Sequence, residues 1–134
     1  MSIIVTDTGF QPDDWQDGFP TQSQAANDVN SLDVPSDANP DAIALTAGLC
    51  MIRVDFPSFA DGRGFTIARQ LRLRGFTGRL RAKGHVLSDQ YAMARRSGFD
   101  EVEISDDIAA RQPEADWLAR ANWRAHDYQA RLRG

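Results

Sequence analysis

The 134 residues contain a single cysteine, Cys50. That count excludes an internal disulfide, a Cys-x-x-Cys redox pair and a cysteine-rich zinc site. Two histidines, His85 and His126, are too few for a metal cluster at recognisable spacing. No apolar run approaches the roughly 20 residues that a membrane span needs. The N-terminus lacks both a basic region and a long apolar stretch, so no signal peptide is expected and the chain is expected in the cytoplasm. Basic side chains are nearly missing from residues 1–60, where Arg53 stands against nine acidic residues. The net charge is −4 and no aromatic-interleaved basic motif is present, so nucleic acid is not an expected partner.

What is present is a cationic middle in an acidic chain. Residues 61–98 carry eight arginines and Lys83 against Asp61 and Asp89, whereas residues 99–134 carry eight acidic and five basic side chains. The asymmetry invites an anionic ligand or partner. It is equally met within the chain, by cationic elements matching acidic ends. Apolar residues make up 42%, enough for one ordinary core in one domain.

Residues 2–5 predict a short strand, and Asp7-Thr8-Gly9 a turn leading into a β-ribbon that ends near Phe10. Residues 1–29 are otherwise partly irregular, with a weak helix over 22–28 and Trp15 as a lid on the core. The segment 30–110 reads as strand-helix units, with strands centred near 32, 52, 81 and 102. Asn39-Pro40 caps a helix over Ala42–Ala47. Leu49 to Val54 is an almost continuous apolar run, which suits a strand buried on both faces, and Cys50 at its start is expected in the core. Helices are expected from Gly64 to Arg74, with Ile67, Ala68 and Leu71 inward, and from Asp89 to Ser97 under a Ser88 cap. Gly75 and Gly98 stop them. The third strand is placed at Gly78–Ala82. After Pro113, residues 114–132 predict the longest helix, with Trp123 off its apolar seam and available to a partner or second copy. The fold class is therefore α/β, a single domain of about four parallel strand-helix units with a small N-terminal β-ribbon and a long C-terminal helix. Both an open sheet and a half barrel fit.

Ligands of parallel sheets bind at the C-terminal ends of strands. That rule selects Asp55, Ser58, Asp61, Gly62, Arg63, Gly64 and Thr66 after the second strand, and Lys83, Gly84, His85, Ser88, Asp89 and Gln90 after the third. Asp61-Gly62-Arg63-Gly64 before a helix can hold an anion: the glycines permit close backbone approach, the helix start offers N–H groups, and Arg63 adds a fork. The same residues also make a self-contained turn in which Asp61 accepts N–H groups and pairs with Arg63. His85, oriented by Asp89, is the candidate proton-transfer pair. No cofactor motif is evident, and neither phosphate-loop nor dinucleotide spacing is present.

Three blocks, Asp55–Arg72, Gly78–Gln90 and Arg96–Asp100, resemble a bacterial family of unknown function whose members carry the label of oxidoreductases in sulfite reduction. The resemblance spans about residues 52–104. It implies a place in assimilatory sulfite reduction, with a sulfite-reduction enzyme as partner. Electron transfer requires a metal, flavin, nicotinamide or paired thiols; with no such motif in this chain, the redox group would be borrowed. Three functions follow as expectations: an accessory protein binding a small anion or a redox enzyme, a small enzyme on a phosphorylated or sulfated metabolite, or a structural homodimer.

Overall fold

Period-2 alternation sets the strands, and it separates two chemically unlike faces. The computed structural model describes residues 2–22 and 29–123. Its strands are β1 (Ser2–Thr6), β2 (Gly9–Pro12), β3 (Ser31–Val34), β4 (Met51–Phe56), β5 (Arg79–Gly84) and β6 (Glu101–Ser105). They form one mixed sheet in the order β2-β1-β6-β5-β4-β3. Neighbours from β3 to β6 run parallel, and the β1–β2 hairpin joins β6 antiparallel.

Along β3 to β6, Leu32, Val34, Ile52, Val54, Phe56, Leu80, Ala82, Val102 and Ile104 point to one side and are buried. Helices α1 (Arg63–Leu73) and α2 (Tyr91–Ser97) cover that side through Ile67, Ala68, Leu71, Tyr91 and Ala94. Two short helices follow, α3 (Asp106–Arg111), capped by Ser105, and α4 (Glu114–Leu118). Trp117 of α4 is buried edge-on to Tyr91, 6.0 Å between rings.

The opposite side is charged. Strand register puts Asp33, Arg53, Arg81 and Glu101 in one lateral row and Asp55, Lys83 and Glu103 in the next. Arg53 forks onto Asp33 at 3.0 Å through two nitrogens and reaches Glu103 at 3.2 Å. Burial disfavours its charge, but Asp33 and then Glu103 outweigh that and raise its pKa. Arg81 is fully buried between Glu101, Glu103 and Asp13, at 2.6, 3.0 and 3.0 Å.

Topology explains how so many charges are covered without a helix. β2 and β3 lie at opposite edges, so the chain between them must cross a face. Five strand intervals of about 4.8 Å make about 24 Å, and residues 13–20 at about 3.3 Å each reach about 26 Å. This strap lays Phe19 over Arg53 (3.9 Å) and Arg81 (5.6 Å), and Trp15 near Arg79 (6.0 Å). It is anchored where Asp33 donates its N–H to the Pro20 carbonyl at 2.8 Å. Trp15 thus covers the charged face, not the apolar core.

Several expectations are corrected. Only Pro40–Ala42 form a 3₁₀ turn where a helix to Ala47 was expected. Ile43 turns into the core, and Arg74 takes the Pro40 and Ile43 carbonyls at 2.6 and 2.8 Å, the acceptors a continuing helix would use. Strand β5 runs on to Gly84, so Lys83 belongs to the strand. The second core helix begins with a 3₁₀ turn at Ser88–Gln90, where the Gln90 side chain, not Ser88, accepts the Leu87 N–H. Helix α4 ends at Leu118, followed by turns through Asn122. Residues 124–132 of the expected long helix, and 23–28 of the weak helix expected over 22–28, lie outside the described residues. Trp123 is half-buried and meets Arg95 at 4.8 Å and Asp7 at 3.4 Å, so its ring is engaged within the chain.

Cys50 precedes β4 and is exposed, its thiol donating to the Asn30 carbonyl at 3.3 Å. Leu49 and the run from Met51 onward are buried; between them the Cys50 backbone pairs with Asn30 and Arg79 while its side chain faces out. A thiol-specific reagent is therefore expected to titrate one equivalent in the native protein at a rate near that of the unfolded chain. A rate slowed a hundredfold by folding would refute this exposure.

Asp7, in the β1–β2 turn, accepts from Tyr91 Oη at 2.5 Å and from Arg95 at 3.2 and 3.1 Å. Burial raises its pKa, but the Tyr91 and Arg95 hydrogen bonds outweigh it and hold it below the usual carboxylate value. Because the folded value is the lower one, this contact stabilises the fold above the unfolded pKa of about 3.9 and is lost as pH falls through the folded pKa. Asp7→Asn should lower the melting temperature at pH 7 and flatten its decline below pH ~4. Parallel melting curves for the two proteins across that range would contradict the assignment.

Candidate functional site

The C-terminal ends of β3, β4 and β5 border a cleft of 620 Å³. Val34, Pro35, Ala38 and Ala42 supply apolar wall, and Thr21, Gln22, Asp33, Asn39, Asp55 and Lys83 supply polar groups. Strand geometry fixes the two central charges. Asp55 and Lys83 are direct partners across β4 and β5 and share a face. Both are partly exposed. Neither makes an ion pair or side-chain hydrogen bond among the described residues, in contrast to the ion-paired row beside them. Asp33 contributes a carboxylate already held by Arg53.

The residues expected to form the site are divided by the fold. Lys83 lines this cleft. Asp61 and Arg63 satisfy each other: Arg63 Nε and Nη2 donate to Asp61 at 3.0 and 2.7 Å, the Arg63 N–H donates at 3.1 Å, and Nη2 also reaches Ser36. The Arg63 side chain, then its N–H, hold the Asp61 carboxyl far below the usual carboxylate range. The self-contained turn is thus what the structure contains, and Arg63's fork is already occupied. Gly62 immediately precedes α1, and Thr66 is exposed on its first turns. Gly64 is buried against the Phe56 ring, where a Cβ would fall 2.4 Å from Cζ. Gly84 has φ +113° and lies where a Cβ would be 2.7 Å from the Phe56 carbonyl oxygen. Gln90 joins two loops by accepting from Leu87 and donating to Phe59 O at 3.3 Å.

His85 and Asp89 are not brought together. His85 is exposed, its Nδ1 3.2 Å from the Phe56 carbonyl and its ring edge-on to Phe59. Asp89 pairs instead with Arg120 at 2.9 Å. That pair lines a separate cleft of 370 Å³ with Ser88, Gln112 and Asp116. Among the described residues, no group of three or more His, Cys, Asp or Glu is placed to hold a metal ion. None of their helices is long and apolar enough to cross a membrane.

Most of the cationic middle is neutralised internally. Arg72 and Arg95 pair with Asp100 and Asp7, Arg79 with Asp14 and Glu101, and Arg81 with Asp13, Glu101 and Glu103. The sequence signal for this was the run Arg79-x-Arg81-x-Lys83 beside Glu101-x-Glu103, a charge at every second strand position. The same alternation carries Arg53 and Asp55.

The family model described as bacterial protein of unknown function (DUF934) matches residues 31–134. The chain belongs to this family. The DUF934 match begins at β3 and takes in every strand that borders the cleft, whereas the hairpin and the strap lie outside it. No curated protein and no solved structure matches the chain.

Proposed function

We propose that this DUF934 protein is an accessory protein of assimilatory sulfite reduction that holds a small molecule in the β3–β5 cleft and presents it to a redox enzyme. The observation that carries the ligand reading is the cleft itself: two opposite charges, Asp55 and Lys83, unpaired among the described residues at the C-terminal edge of parallel strands. A cleft of this size falls in the range of small-molecule sites, which combine apolar walls with a few placed polar groups. The sulfur-assimilation context comes from the blocks at residues 55–72, 78–90 and 96–100. An accessory role is favoured over proton-transfer catalysis because His85 is separated from the carboxylate expected to orient it.

A strain lacking the gene should grow normally on cysteine and slowly on sulfate. The intact gene should restore growth, and a folded Asp55→Asn/Lys83→Met variant should not. Normal growth of the deletion strain on sulfate as sole sulfur source would defeat the pathway assignment. Full rescue by the double variant would defeat the cleft.

A further inference from the structure

We propose that the cleft recognises a zwitterion of the α-amino-acid type with an apolar side chain, Lys83 taking its carboxylate and Asp55 its ammonium. This rests on reading the cleft as a ligand site. The charge balance decides between ligand classes. Asp33 is neutralised by the Arg53 fork at 3.0 Å, and Asp55 and Lys83 cancel, so the cleft offers no excess of either sign. A bare anion such as sulfate gains Lys83 but meets the carboxylate of Asp55. A bare cation gains Asp55 but meets Lys83. A ligand carrying both charges satisfies both groups and meets neither repulsion.

Spacing agrees with this. Asp55 and Lys83 are register partners on adjacent strands, about 4.8 Å apart, and an α-amino acid carries its two charges on neighbouring carbons. The short Asp55 side chain keeps its carboxylate near the sheet, while the long Lys83 stem can bring its ammonium to a group lying above. Val34, Pro35, Ala38 and Ala42 then offer the ligand side chain an apolar wall. The absence of a pair between Asp55 and Lys83 leaves both available.

Calorimetric titration of the full chain separates the alternatives. The probes are L-leucine and L-methionine, the leucine analogues 3-methylbutylamine and 4-methylpentanoate, each lacking one charge, and inorganic sulfate. Leucine or methionine should bind at least tenfold more tightly than any single-charge probe. Asp55→Asn should weaken the amino acid at least tenfold while leaving 4-methylpentanoate unweakened, and Lys83→Met should abolish the preference over the amine. Circular dichroism verifies that both variants fold. If sulfate or 4-methylpentanoate binds as tightly as the amino acids, and Asp55→Asn loses nothing, the zwitterion assignment falls and the ligand cleft stands. If no probe binds, the cleft reading falls with it.

Discussion

Replacing Arg81 by Met is expected to cost about 3–5 kcal/mol of folding stability, the range for breaking a buried ion pair from one side. Arg81 is wholly buried, while Glu101 and Glu103 are 6% and 4% exposed. Its Nε and Nη1 reach both glutamates and Asp13. Without it, two buried carboxylates remain on neighbouring positions of one face, with Arg79 and Arg53 as the cations still paired to them among the described residues. Uncompensated buried charge, more than lost attraction, sets the size of the effect. Glu103→Gln should therefore recover part of the loss in the Arg81→Met background while destabilising the protein on its own. Urea unfolding of the four proteins measures this as a coupling energy. A loss below about 1 kcal/mol, the range of exposed pairs, would mean that Arg53 and Arg79 suffice and that Arg81 is dispensable to the fold.

Gly64→Val is the second large effect. The Gly64 backbone approaches Phe56 so closely that an ideal Cβ would lie 2.4 Å from Cζ and 2.6 Å from Cε1. Phe56 cannot easily retreat, being 2% exposed and packed on Phe65 and Phe99 with ring centroids 4.9 and 5.8 Å away. Overpacking of this kind costs about 1–3 kcal/mol, occasionally more. Valine's better helix propensity offsets a few tenths of a kcal/mol at most. The cost should shrink sharply in a Phe56→Leu background, where the clashing ring edge is gone. Equal costs in both backgrounds would show that Gly64 is required for something other than Phe56.

These two sites show what could and could not be read in the chain. Local signals were legible. Alternation placed β3 and β6, an apolar run placed β4, Gly75 and Gly98 ended their helices, and Ile67, Ala68 and Leu71 marked the inner stripe of α1. The rule that ligands sit at C-terminal strand ends selected the edge where the β3–β5 cleft lies and included Lys83. The same rule also returned Asp61, Arg63 and His85, because composition cannot tell an unoccupied charge from one already satisfied. The Asp61–Arg63 pair is only two residues apart and was foreseeable as a turn. The pairings that neutralise the cationic middle join residues tens of positions apart, such as Arg81 with Asp13 and Arg95 with Asp7. Those separations carry no periodic signal.

The sequence by itself determined the α/β class, the strand positions and the uneven charge, since each follows from side-chain period and composition. Only the tertiary structure decided what the charge is for. Strand register aligned acidic and basic rows, and the crossing from one sheet edge to the other laid Asp13, Asp14 and Phe19 over them. Most of the cationic middle thereby became internal structure. Lys83, one strand over from Asp55 and beyond the row in which Arg53 and Arg81 are ion-paired, was left facing the cleft. Such a selection depends on which charges meet in space, and spacing along the chain does not record it.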